Sequence, residues 1–133
     1  MVRILIVDDH DEFRAQLKAA LEFGKEWQVW EAQNGVEAVG KYSDIQPHVT
    51  VMDFKMPRLN GLLASREILR KCPDAMILLL TVFASAQLAA RAKREGIKAF
   101  CSKTQVDCIF LAIESLLRGE MYFPESFMAQ AGD

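Results

Sequence analysis

The apolar positions fall into five short runs, each followed by a stretch whose apolar residues recur at helical spacing. Met1–Val7 is apolar after Arg3, as a strand reads when both faces of its sheet are covered. Asp11 is placed as the N-cap of a first helix whose face carries Phe13, Leu17, Ala20 and Leu21 and which stops at Gly24. Trp27–Ala32 alternates, which predicts a less buried strand near a sheet edge. Asn34 with Glu37 resembles a capping box opening a helix striped by Val36, Val39 and Tyr42. Pro47 precedes the apolar strand Val49–Asp53, and Asn60-Gly61 opens a helix through Leu62, Leu63, Ile68 and Leu69 that ends before Pro73. Ala75–Leu80 is a uniformly apolar strand, Ser85 caps an alanine-rich helix closed by Gly96, and Ile97–Cys101 is a short fifth strand. Thr104-Gln105-Val106-Asp107 has the form of a capping box, and Val106, Phe110, Ile113 and Leu117 carry the last helix to Gly119. Strands alternating with helices in this way predict an α/β fold with a five-stranded parallel sheet and right-handed crossovers.

The polar residues at the strand ends add chemistry to that frame. The run Ile4–Val7 ends in Asp8-Asp9, and Val49–Met52 ends in Asp53, with the turn-rich segment to Pro57, Asn60 and Gly61 following. Ligands of open α/β sheets sit in the crevice beyond the strand C-termini, so three carboxylates gather there. They repel one another unless a proton or cation compensates, and hard oxygen ligands suit Mg²⁺. Thr81 follows the fourth strand and Lys103 the fifth. A carboxylate nucleophile at Asp53, with a hydroxyl and an ammonium as donors to phosphoryl oxygens, fits phosphoryl transfer to an aspartate.

Composition narrows the alternatives. With 133 residues, 51% apolar and 26% charged, the chain has the size and makeup of one globular domain. A net charge of −2 gives no global field toward nucleic acid or an anionic membrane. The hydrophobic runs are too short to span a bilayer, and strand-like sequence begins at once, leaving no room for a signal peptide. Cys72, Cys101 and Cys108 form no C-x-x-C pair and read as small buried hydrophobes in a reducing compartment, which with the rest implies a cytoplasmic location. His10 and His48 lack partners at metal-ligand spacing. Residues 1–119 form the expected domain, and 120–133 a C-terminal tail or the start of a linker.

In this combination and order, Asp8-Asp9, the D-x-x-M-P segment Asp53–Pro57 with Gly61, Thr81, Phe100 and Lys103 resemble the receiver domain of bacterial two-component response regulators. Val7-Asp8-Asp9-His10 with Phe13-Arg14, then Ala112-Ile113 and Arg118-Gly119-Glu120, are similar to the LuxR-type subgroup, whose members usually continue into a helix-turn-helix domain that is not in this sequence. The resemblance implies a doubly wound, flavodoxin-like (βα)5 receiver fold. It implies a phosphorylatable signalling switch in which Asp53 takes phosphate from a sensor histidine kinase, with Mg²⁺ held by Asp9, Asp53, the backbone carbonyl of Lys55, and Asp8 directly or through water. Lys103 would bind a phosphoryl oxygen, and Thr81 and Phe100 would be the switch pair that reshapes the surface around the last two helices. Regulation of transcription, homodimerisation on phosphorylation, no nucleic-acid or membrane binding by this chain alone, and no enzymatic role beyond self-phosphorylation and dephosphorylation complete the implied picture.

Three positions depart from the family pattern. Thr104 stands where proline in a cis peptide usually follows the lysine, Val82 where a very small residue usually follows the threonine, and the switch aromatic Phe100 lacks the tyrosine hydroxyl. Val82 and Lys55 are placed to flank the approach of hydrolytic water to phospho-Asp53. The competing readings are a pseudo-receiver acting through phosphate-independent contacts, which missing acids or lysine would favour, and an Mg-dependent phosphohydrolase. The latter wants a second Asp where Lys55 stands. A flavodoxin-like FMN protein would want a phosphate loop where Asp8-Asp9 would repel the ligand.

Overall fold

The computed structural model describes residues 1–127. Its strands are β1 (Val2–Val7), β2 (Trp27–Ala32), β3 (Val49–Asp53), β4 (Ile77–Thr81) and β5 (Ala99–Ser102). Its helices are α1 (Asp11–Glu22), α2 (Gly35–Ile45), α3 (Gly61–Lys71), α4 (Ala86–Arg94) and α5 (Val106–Leu117). All pairs are parallel, in the order β2-β1-β3-β4-β5, so the alternating strand β2 is indeed an edge.

Alternation along the strands divides the core into two layers. Leu5, Val7, Met52, Leu79 and Phe100 pack with α2, α3 and α4. Ile4, Ile6, Val51, Leu78, Leu80 and Cys101 pack with α1 and α5 on the opposite face. Interior strands need apolar residues on both faces, which is why β1, β3 and β4 read as continuous runs while β2 does not.

Three of the expected caps form: Asn34 accepts from the Glu37 amide at 2.8 Å, Asn60 from Leu63 at 3.0 Å, and Ser85 from Leu88 at 3.1 Å. Two do not. His10 occupies the N-cap of α1, and Asp11 instead pairs with Arg14 at 2.7 Å. Gln105 is the N-cap of α5, because the Thr104 hydroxyl is taken by Ser102 Oγ at 2.7 Å. Several residues expected on the helix stripes face solvent: Ala20, Val36, Leu63 and Val106 are exposed. Beside Val36 and Leu63, the buried small residues Gly35 and Ala64 carry the contact instead.

Beyond Gly119 the chain turns back onto β5. Tyr122 forms a bridge with Ala99, accepting from the Phe100 amide and donating to the Lys98 carbonyl, each at 2.9 Å. Phe127 meets the Phe100 ring edge-on at 5.2 Å. Residues 128–133 of the expected tail lie outside the described residues. The expectation for the cysteines needs correction: Cys101 and Cys108 are joined by a disulfide, and Cys72 is exposed. Among the described residues no helix is long and apolar enough to cross a membrane.

Candidate phosphoryl and metal site

Adjacent strands bring the acids together. Pairing of β1 with β3 sets Val7 opposite Met52, so Asp8 and Asp53 emerge side by side at the C-terminal edge of the sheet. The loop after β3 is drawn tight by the Gly61 amide, which donates to the Phe54 carbonyl at 2.7 Å. A Cβ at Gly61 would run into the backbone carbonyl of Asp53, so no larger residue fits there without moving the acid. A cleft of about 460 Å³ opens over this edge, bordered by Asp9, Asp53, Lys55, Val82, Phe83 and Lys103 among others.

Within it Asp53 is only 4% exposed. Burial, with the charge of Asp8 and to a lesser degree that of Asp9, outweighs the attraction of Lys103 and pushes its carboxyl up to about 6. Lys103 Nζ lies 2.6 Å from Asp8 Oδ2 and 3.4 Å from Asp53 Oδ1, and 4.6 Å from the centre of the Phe13 ring. Asp8 also accepts from the His10 amide at 2.9 Å. Among the described residues Asp9 Oδ1 is buried with no hydrogen-bond partner; His10 Nδ1 stands 3.4 Å away without making one.

The donor set suits a divalent cation. Asp8, Asp9, His10 and Asp53 each offer an atom within 4.8 Å of the others. An orphaned carboxylate oxygen in that group is what a cation or its water shell would satisfy.

The structure brings Asp8, Asp9, Asp53 and Lys103 together as the sequence pattern indicated. The Lys103–Thr104 peptide is trans. Thr81 sits at the adjoining strand end, fully buried, its Oγ1 accepting from the Phe83 amide at 3.0 Å. Phe100 lies farther off, fully buried in the layer against α4. The Lys55 ammonium lies over the Phe83 ring at 5.1 Å on the cleft rim.

Two residues were missed as parts of the site. Arg14 donates to the backbone carbonyl of Asp8 at 2.6 Å, to Glu31 at 2.9 Å and to Asp11 at 2.7 Å. Burial works against its charge, but the hydrogen bonds to Asp11 and Glu31 prevail and raise its pKa. The signal lay in an arginine three residues before Leu17, on the buried stripe of α1, where a charge needs partners. His10 joins the acidic cluster through the turn after β1, although no spaced partner marks it in the sequence.

Comparison with known proteins agrees with this geometry. Residues 4–114 match the family described as the response regulator receiver domain. The transcriptional regulatory protein LnrK of Bacillus subtilis (strain 168) is 33% identical over 98% of the chain, which spans 60% of that protein's length. A LuxR-family two-component response regulator from Aurantimonas sp. SI85-9A1 superposes with a TM-score of 0.92 at 27% identity, covering 99% of this chain and 96% of the other. Response regulator TrrA of Thermotoga maritima, solved in complex with Mg(2+)-BeF, gives a TM-score of 0.80 at 30% identity over 88% of this chain and all 100% of its own.

Proposed function

The chain belongs to the family of response regulator receiver domains, and from that premise we propose that Asp53 accepts a phosphoryl group from a sensor histidine kinase with Mg²⁺ as cofactor. The observation that carries the reading is the buried Asp53 carboxylate set between the Lys103 ammonium and the unpartnered Asp9 oxygen. The TrrA complex with Mg(2+)-BeF supports it by likeness. Asp9, Asp53 and the Lys55 carbonyl hold the cation, with Asp8 direct or through water. When bound, Mg²⁺ supplies neutralisation of the phosphoryl oxygens.

The protein's own groups do the rest. An Asp53 oxygen forms the bond to phosphorus as the donor's bond to phosphorus breaks. Lys103 shifts from Asp8 toward a phosphoryl oxygen. Thr81 has a hydroxyl proton still to give, since its oxygen only accepts at rest. Its movement toward the phosphoryl group opens room for Phe100 to follow and changes the surface around α4, β5 and α5.

The domain comprises residues 1–119, with 120–133 as a tail or the start of a linker toward an output domain. The protein works in the cytoplasm as a switch rather than an enzyme, regulates transcription through its partners, dimerises on phosphorylation and binds neither nucleic acid nor membrane through this chain. Amide spectra recorded with Mg²⁺ and beryllofluoride test the reading. Shifts at Thr81, Phe100 and Lys103 are expected, and their absence would contradict it.

A further inference from the structure

The Cys101–Cys108 bond ties the end of β5 to the first turn of α5 across a sequence separation of seven, and Lys103 lies in the segment it closes. The two Cα atoms are 6.2 Å apart, inside the range of roughly 4.4–6.8 Å that a disulfide spans without backbone movement. The two sulfurs differ in access. Cys101 is fully buried beneath α5, whereas Cys108 borders a surface cleft of about 450 Å³ shared with Thr104, Leu111 and Tyr122. Cys108 is also the third residue of α5, in its first turn.

We propose that Cys101 and Cys108 form a reversible thiol–disulfide site that responds to low-molecular-weight disulfides and fixes the loop carrying Lys103. In a reducing compartment a buried cross-link of this kind is a transient redox device rather than a permanent brace. The Cys108 thiolate attacks one sulfur of the external disulfide, whose S–S bond breaks and releases one thiol. The Cys101 thiolate then attacks the Cys108 sulfur of the mixed disulfide and expels the second thiol. Two protein thiols lose two electrons, and their two protons end on the two thiols released.

Between them the loop is held by the Lys103 amide to the Thr81 carbonyl at 3.0 Å, the Gln105 amide to the Ser102 carbonyl at 3.1 Å, the Ser102–Thr104 hydroxyl pair, and the ion pair of the Lys103 side chain with Asp8. Oxidation fastens both of its ends. Its consequence for the phosphoryl site rests on the role proposed for Lys103: a loop already ordered loses less freedom when the ammonium engages a phosphoryl oxygen.

The test equilibrates the full chain in glutathione buffers of graded ratio, alkylates it in denaturant and reads intact mass. At the oxidising end Cys101 and Cys108 are expected to take neither an alkyl group nor glutathione while Cys72 carries one or the other, and at the reducing end all three are alkylated. In Cys108→Ser both remaining thiols carry an alkyl group or glutathione in every buffer. Cys108 sits at the cleft edge, so this variant retains the fold that a change at fully buried Cys101 endangers. Amide exchange at Thr104–Asp107 is expected to be several-fold slower in the oxidised protein. Three modified cysteines in every buffer, one in every buffer, or equal exchange in the two forms would each overturn the proposal. Failure of both forms to bind beryllofluoride would instead count against the phosphoryl reading, since alkylation and exchange judge the cysteine pair by themselves.

Discussion

At rest, the Lys103 ammonium is paired with Asp8, 2.6 Å from its Oδ2, and both side chains are almost wholly buried. The lysine therefore has a structural partner before any phosphoryl group arrives, which the sequence did not indicate. Breaking such a pair from one side leaves an uncompensated charge, and Lys103→Ala is expected to cost about 3 kcal/mol of folding stability. The freed carboxylates should bind Mg²⁺ several-fold more tightly. Denaturant unfolding and calorimetric Mg²⁺ titration check both effects, and wild-type stability in the variant would show that the pair contributes nothing.

Asp53 gives a pH dependence whose sign follows from its raised pKa. Its folded-state value of about 6 lies above the ordinary 3.8, so the protonated form supports the fold. That support is complete below about pH 4 and is lost as pH rises through about 6. At neutral pH the ionised group costs on the order of 2–3 kcal/mol, from 1.36 kcal/mol per pH unit. Asp53→Asn keeps the shape without the charge. Measured with chelator present, it should be more stable than wild type by roughly 2 kcal/mol at pH 7.5 and equal to it near pH 4. An advantage that does not shrink on acidification would assign the effect to something other than this carboxyl.

Arg14 holds the end of β1 in place. Arg14→Met retains the apolar stem but removes the bonds to Asp8, Asp11 and Glu31. The expected loss is about 2–3 kcal/mol, with Mg²⁺ affinity falling several-fold because the acid pair loses its anchor. Affinity unchanged after correction for the unfolded fraction would confine Arg14 to stability alone.

The rim of the cleft stands where water would approach Asp53. Val82 and Phe83 are both more than half exposed over Asp53, and Lys55 lies across the Phe83 ring. Val82→Ala and Phe83→Ala should each speed loss of phosphate from Asp53 several-fold, about 1 kcal/mol or less on the barrier. Mg²⁺ affinity should stay constant, being set by carboxylates. Phosphate loss followed after donor removal decides it, and slower or unchanged loss in both variants would show that the rim does not gate water.

The sheet and its acidic edge were legible because buried parallel strands write themselves as apolar runs, and Asp8-Asp9, Asp53, Thr81 and Lys103 all stand at the ends of such runs. What stayed hidden depends on side chains meeting across the fold. The Arg14 contact with Asp8 needs the turn of α1 over β1. The cap of α5 fails because Ser102 competes for the Thr104 hydroxyl. The Cys101–Cys108 bond joins a strand to a helix, with no C-x-x-C spacing to announce it. Phe127 against Phe100 is equally a contact that only the returning chain creates.

The central claim is that Asp53 is the phosphoryl acceptor, and the most direct test is intact mass after incubation with acetyl phosphate and Mg²⁺. Wild type is expected to gain the mass of one phosphoryl group and lose it with time once the donor is removed, while Asp53→Asn, folded by amide spectrum, gains none. Equal labelling of the two proteins, or no labelling of wild type with the metal and donor in excess, would contradict the account.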